Sequence, residues 1–297
     1  INDLAGSTKY INKAKNDGPT TPKNHKNDIH GTIGLYTDIN DVNAPFILED
    51  YITRPTIVYN GNQIEITASQ SGATLIYTTD GSKPTNSNGT TVDASTVTFD
   101  PSDGVTTIKA VAVVSGELSN VATYTTPVLC GTNHKYLFQS QNNAWNGTDF
   151  YFYMIPGDDN KVNTTSLFRP SMEWYFLGAG VENGVQYFYI VNNTNEKRLR
   201  CDAKNNVYLD TYSISNDNKF KFKIVESPTA GTYNIYPHDL NILINKNTSN
   251  ANNGVINTAD YSVANTNSGN TRWKFVKSTD LDRTAPFTVS DGSSRTH

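Results

Sequence analysis

The side chains able to do chemistry in this 297-residue chain are scattered. Five histidines (His25, His30, His134, His238, His297) fall mostly in loop-like stretches. None makes a His-x-x-x-His spacing, and no Cys-x-x-Cys pair stands beside them, so no metal centre is expected. Cys130 and Cys201 are too few for a disulfide scaffold; one bridge and two buried thiols both stay open. The turns Asp158-Asp159-Asn160 and Asp38-Ile39-Asn40-Asp41 offer hard oxygen donors, but the twelve-residue calcium loop with its closing Glu is missing. There is no Gly-x-Ser-x-Gly elbow and no phosphate-cradling loop, and carboxylate spacing in sequence does not define a glycosidase pair. No catalytic residue and no cofactor are therefore expected. Trp145 stands apart, in the polar run Gln141-Asn142-Asn143-Ala144-Trp145-Asn146-Gly147. A large aromatic flanked by Asn on a loop suits a ligand platform; it equally suits a plug folded back onto the core.

The elements that must position such residues are strands. No apolar stripe at i, i+3, i+4, i+7 runs over a full helix length. Short alternating runs recur instead, such as Ile64-Glu65-Ile66 and Thr107-Ile108-Lys109-Ala110-Val111-Ala112-Val113, separated by Asn60-Gly61, Asp80-Gly81 and Ser115-Gly116. That pattern predicts an all-β chain. Composition agrees: 37 residues are Asn, which favours turns, and 17 Tyr, 12 Phe and 3 Trp supply large areas for burial. The net charge of −4 argues against nucleic acid as the main partner. No apolar run is long enough to span a membrane, so membrane insertion is not expected. The chain opens on Ile1 without a signal-peptide pattern, which reads as a mature protein or a fragment.

Composition shifts divide the chain. Residues 55–127 are rich in Val and Thr, with two basic residues (Lys83, Lys109) against six acidic ones, a net of −4. Residues 131–278 hold most of the aromatics, and Pro55 and Pro127 punctuate the boundaries as linker prolines do. The first of these segments predicts six or seven short strands with turns every 8–12 residues. Its run Tyr77-Thr78-Thr79-Asp80-Gly81-Ser82-Lys83-Pro84-Thr85, with Thr107–Ala112 and Ser119–Tyr124, resembles the chitobiase/β-hexosaminidase C-terminal domain family. The resemblance implies an immunoglobulin-like sandwich serving as a spacer in bacterial secreted or surface proteins. Asp80 then reads as a turn former rather than a catalyst.

Residues 131–278 contain a threefold repeat. Strands led by aromatics start at Tyr136, Tyr187 and Tyr233, and each unit closes on an aromatic-rich strand: Trp174-Tyr175-Phe176, Phe220-Lys221-Phe222 and Trp273-Lys274-Phe275. One unit cannot bury its aromatic face alone, whereas three around a pseudo-threefold axis can. The organisation resembles the ricin-type lectin β-trefoils, whose repeats end in Gln-x-Trp. On this reading Met172, Asn218 and Thr271 stand at the Gln position, and Trp174, Phe220 and Trp273 at the structural Trp position. The resemblance implies sugar sites in which an aromatic stacks on a pyranose and an Asp or Asn takes its hydroxyls. In the second repeat Asp202 matches the family Asp; Asp210 stands where the aromatic belongs, and Tyr208 or Tyr212 substitutes at another angle. In the third, Asn245 replaces the Asp, and Asn257 or Thr258 replaces the aromatic.

Residues 1–54 resemble most of a last trefoil repeat. Tyr10-Ile11-Asn12-Lys13 aligns with Leu243-Ile244-Asn245-Lys246, and Asn43–Leu48 aligns with Asn270–Phe275. Here the ricin-like pattern is better kept: Asn12 takes the Asp position, Tyr36 the platform and Asn43 the sugar-facing Asn. Residues 279–297 read as a tail or the start of a further module, so the chain is expected to be cut from a longer modular protein. The function expected is a non-catalytic carbohydrate-binding or adhesion module, secreted or at a cell surface, taking a glycan or polysaccharide and other surface proteins as partners. The alternatives are a structural or protein-binding stalk and the accessory end of a glycoside hydrolase.

Overall fold

The computed structural model describes Tyr10–Lys13, Ile33–Tyr36, residues 52–142, 152–165, 169–247 and 255–280, Phe287–Thr288 and Ser294–Arg295. It divides into two compact units, Ile1–Tyr51 and Ile52–His297. In the first, β1 (Tyr10–Lys13) and β2 (Ile33–Tyr36) pair antiparallel, with Tyr10 opposite Tyr36 and Asn12 opposite Gly34.

The second unit opens with eight strands: β3 (Thr56–Gly61), β4 (Gln63–Thr67), β5 (Thr74–Thr78), β6 (Thr90–Val92), β7 (Thr96–Phe99), β8 (Thr107–Val114), β9 (Glu117–Leu118) and β10 (Ala122–Thr125). β3, β4 and β7 form one layer; β10, β8, β5 and β6 form the other, with β9 on β8. Alternation does the sorting: Ile64, Ile66, Leu75, Ile108, Ala110 and Ala112 are fully buried while their neighbours along each strand are less so. Asp80 Oδ1 accepts the Ser82 backbone N–H (2.9 Å), so this carboxylate shapes the turn after β5.

Twelve further strands follow: β11 (Tyr136–Ser140), β12 (Phe152–Pro156), β13 (Val162–Thr165), β14 (Glu173–Glu182), β15 (Val185–Asn192), β16 (Arg198–Ala203), β17 (Asn206–Asp210), β18 (Phe222–Glu226), β19 (Tyr233–Pro237), β20 (Ile242–Lys246), β21 (Ile256–Asp260) and β22 (Trp273–Lys277). Six of them close a barrel of antiparallel pairs: β11–β14, β14–β15, β15–β18, β18–β19, β19–β22 and β22–β11. The other six form three hairpins, β12–β13, β16–β17 and β20–β21. This is a β-trefoil, and closing the ring removes the open edges that a lone sheet exposes. Phe138, Phe176 and Phe275 pack inside it with ring centroids 4.8–5.2 Å apart. A last short hairpin joins β23 (Phe287–Thr288) to β24 (Ser294–Arg295).

The barrel register corrects the repeat frame. Tyr136 lies opposite Trp174, Tyr233 opposite Trp273, and Phe188 opposite Phe222. Phe222, not Phe220, therefore occupies the Trp position of the second repeat. Phe220 joins Met172 and Thr271 at the Gln position, where Asn218 was expected; all three are buried. Trp174 Nε1 donates to Met154 O (3.0 Å) and Trp273 Nε1 to Ile244 O (3.1 Å), so each indole ties its closing strand to its own hairpin. Phe222 fills the same space without that tie.

The sandwich and the trefoil share one core rather than meeting through a loose linker. β14 pairs with β3, Gly178 opposite Gly61 and Ala179 opposite Asn60. A Cβ on Gly178 would stand 2.5 Å from the Tyr59 carbonyl, so only glycine permits this approach. The Gln186 side chain acts as a strand substitute: its Oε1 accepts Tyr59 N–H (2.8 Å) and its Nε2 donates to Tyr59 O (3.1 Å). Beyond Pro127 the chain stays packed. Val128, Leu129 and Cys130 are buried, Leu129 N–H donates to the Tyr136 hydroxyl (2.9 Å), and Gly131 N–H donates to Phe176 O (2.8 Å). Cys130 and Cys201 are both buried free thiols; burial pushes Cys201 up to about 12 and Cys130 well above its ordinary value, so neither is a ready nucleophile.

Candidate functional site

The hairpin β16–β17 brings Asp202 and Tyr208 together. Tyr208 OH donates to Asp202 Oδ2 at 2.8 Å. Arg200 reaches the same carboxylate through Nε (2.7 Å) and Nη2 (3.1 Å), and its Nη1 binds Asp210 Oδ2 (2.6 Å). Burial opposes the Asp202 anion, but Arg200 and Tyr208 outweigh it and hold the carboxyl below its usual range. Asp202 thus faces this hairpin with both oxygens engaged by its own neighbours. Trp145 and Asn43 lie outside the described residues, as do residues 38–41. For Asn12 and Tyr36 the strand pairing of β1 and β2 is described and nothing further. Asn245 and Asn257 sit opposite each other on β20–β21, linked Nδ2 to Oδ1 at 2.6 Å.

The loops after the third strand of each repeat differ more. Tyr212-Ser213-Ile214-Ser215-Asn216-Asp217-Asn218 recurs as Tyr261-Ser262-Val263-Ala264-Asn265-Thr266-Asn267. Each copy turns into a short helix, α1 (Asp217–Phe220) or α2 (Val263–Thr266), and each exposes its aliphatic tip, Ile214 at 77% and Val263 at 80%. Their tyrosines part company. The Tyr212 hydroxyl donates to Asp217 Oδ1 (2.9 Å), which also accepts Tyr189 OH (2.5 Å). Arg198 lies between the two rings, 3.9 Å from the Tyr212 centroid and 4.2 Å from that of Tyr189. Lys221 joins Asp217 (2.5 Å) to Glu182 (2.7 Å), whose other oxygen meets His238 Nε2 at 2.8 Å.

In the third repeat the Arg198 position is Leu243, the Tyr189 position Asn234 and the Asp217 position Thr266. Tyr261 is 47% exposed, and its hydroxyl finds no partner among the described residues. Its ring lies 6.2 Å from that of Tyr236, at 45°. Lys223, opposite Tyr236 across β18–β19, holds its ammonium 4.9 Å from the Tyr236 centroid. The loop itself is fixed: Tyr261 N–H donates to Asn241 O (3.1 Å), Ser262 Oγ caps α2 by accepting Asn265 N–H (3.0 Å), and Asn265 Nδ2 donates to Asp260 O (2.7 Å). Sequence reasoning passed over Tyr261; the seven-residue duplication was the signal that marks it.

A cleft of about 380 Å³ lies where the sandwich meets the barrel, walled by Asp103, His134, Tyr136, Glu173, Lys277 and Thr279. There Asp103 binds His134 (3.0 Å) and Lys277 (3.2 Å). Among the described residues no group of three or more His, Cys, Asp or Glu is placed to hold a metal ion, and no helix is long and apolar enough to cross a membrane.

Comparison with known proteins finds two kinds of likeness. No curated protein matches the chain. Among solved structures it is similar to the Macrolepiota procera ricin B-like lectin in complex with lactose, at 9% identity and TM-score 0.39, over 51% of this chain and 99% of that one. It is similar to the cytolethal distending toxin from Actinobacillus actinomycetemcomitans at 15% identity and TM-score 0.38, over 49% and 92%. It is also similar to the GlcNAcα1-4Gal releasing endo-β-galactosidase from Clostridium perfringens at 11% identity and TM-score 0.38, over 75% and 68%. Residues 64–126, most of the sandwich, match the family model described as Fn3 associated.

Proposed function

We propose that this chain is a non-catalytic carbohydrate-binding module of a secreted or surface-displayed protein, with the trefoil as the binding part and the sandwich as its rigid mount. The observation that carries the reading is the Tyr261 platform. A tyrosine ring half open to solvent, beside a second ring and on a loop fixed by its own hydrogen bonds, offers a flat apolar face at little ordering cost. The apolar face of a pyranose fits such a surface, and the free Tyr261 hydroxyl supplies a donor and acceptor at its edge. The sandwich resemblance noted in the sequence supports a spacer role and an extracellular setting. Asp202 with Tyr208, Trp145 by itself, and separately Asn12, Tyr36 and Asn43 are proposed as further contacts.

Glycan-array screening of the full chain, followed by calorimetry on the best saccharide, tests this. Weak binding is expected, with Tyr261→Ala lowering affinity about fivefold, or ~1 kcal/mol. Tyr212→Ala, at the closed counterpart, should leave affinity unchanged. Binding to no saccharide would favour the stalk reading instead.

A further inference from the structure

We infer that the Tyr261 surface takes an acidic saccharide, one bearing a carboxylate or a sulfate, with Lys223 as the residue that selects it. This rests on the carbohydrate reading above and names its ligand class. The argument is one of unspent charge. On the trefoil Arg200 has Asp202 and Asp210, Lys221 has Asp217 and Glu182, and Lys204 has Asp260, while Arg198 is closed between two tyrosine rings and Lys246 is buried against Phe152. Lys223 has no carboxylate among the described residues.

Its placement is fixed by the barrel. Along β18 the buried Phe222 and the half-buried Ile224 point inward, so Lys223 and the 43%-exposed Val225 point out. Opposite Lys223 stands Tyr236, a buried ring whose face carries the ammonium at 4.9 Å, and the half-exposed Tyr261 ring lies 6.2 Å from it. A cation resting on an aromatic face keeps most of its charge available to a third group. Tyr261 and Lys223 thus both border Tyr236, the one as an exposed stacking plane and the other as a positive charge with no carboxylate among the described residues. A neutral sugar uses only the plane. A sugar acid uses both, and the bond from Lys223 is charge-assisted.

The test uses the full chain and three probes matched in length: a galactose trisaccharide, its monosulfated form and a galacturonic acid trisaccharide. Calorimetry in about 20 mM salt should show the acidic forms binding about tenfold tighter than the neutral one, a difference that shrinks at about 0.5 M salt through screening. Lys223→Met should erase the preference. Tyr261→Ala should weaken both classes. Thermal unfolding of both variants, expected to match the parent, checks the fold. Which of the two acids binds better identifies the anion. Neutral binding without an acid preference, or a preference that survives Lys223→Met, overturns this inference and leaves the carbohydrate reading standing. Failure of all three probes and of the array together overturns that reading as well.

Discussion

In the second repeat Tyr212 is clamped by Arg198, Tyr189 and Asp217; in the third the matching positions hold Leu243, Asn234 and Thr266, and Tyr261 stands open. The loops share the order Tyr-Ser-aliphatic-x-Asn-x-Asn, and both turn into a short helix. What the loop sequence sets is the path of the chain. What decides whether the tyrosine is available is contributed partly by other strands, β15 and β16 in one repeat and β19 and β20 in the other, and partly by one loop position, Asp217 against Thr266. A repeat protein can thus keep three copies of a scaffold while closing one tyrosine and leaving another open, through two substitutions on other strands and one within the loop.

That comparison breaks first at Asp217. Its carboxylate accepts from two phenols and one ammonium, and Asp217→Ala leaves all three short of a partner. The expected loss is about 3 kcal/mol of unfolding free energy, read from urea denaturation, because each orphaned polar group loses its hydration without repayment. Thr266→Ala, its counterpart, should cost under about 1 kcal/mol. Equal losses would mean that the clamp contributes nothing special. Next comes Trp273→Phe, which gives the third repeat the residue type the second already has. It removes the indole bond to Ile244 O and part of the core volume, for about 2 kcal/mol. Phe222→Trp adds volume to a filled site and should not restore that amount.

The sequence made the trefoil legible because its aromatic-led strands recur at nearly even spacing and alternate as half-buried strands must. It misplaced the closing strand of the second repeat by two residues. Phe220-x-Phe222 reads like Trp174-x-Phe176, and a slip of two keeps every side chain on its face, so alternation cannot detect it. Only pairing across the barrel, Phe188 to Phe222, fixes the frame. Asp202 with Tyr208 was legible as a juxtaposition, since a short hairpin joins them; that Arg200 occupies the same carboxylate depends on a rotamer that spacing does not encode. The packed junction was equally hidden. Pro127 has the look of a linker residue, and nothing about Gln186 announces that its amide will pair with the Tyr59 backbone.

A pH titration sharpens the contrast between the repeats. Burial raises the Asp217 carboxyl, but hydrogen bonds from Lys221, Tyr189 and Tyr212 outweigh it and leave it below the usual range. A depressed carboxylate stabilises the fold above its unfolded value, about 3.9, because the unfolded chain binds the proton more readily. The contribution is lost as pH falls through the folded value. Asp217→Asn should therefore flatten the acid limb of stability against pH, followed by urea midpoints between about pH 2 and 5. Thr266 has no charge to lose, so Thr266→Asn should leave that limb as steep as in the parent.

The smallest expected effect on stability is the most informative for function. Tyr261→Ala removes a ring that is 47% exposed and whose hydroxyl is unbonded among the described residues. Substitutions at such surfaces stay within about 0.5 kcal/mol, against about 2 kcal/mol for Tyr212→Ala, which strips a hydrogen bond from Asp217 and one aromatic face from Arg198. If Tyr261 is held in place for a ligand, its removal leaves the urea midpoint where it was and takes the saccharide affinity down. A midpoint that drops as far as it does for Tyr212→Ala would make Tyr261 a packing residue, and the open and closed repeats would then differ in geometry without differing in use.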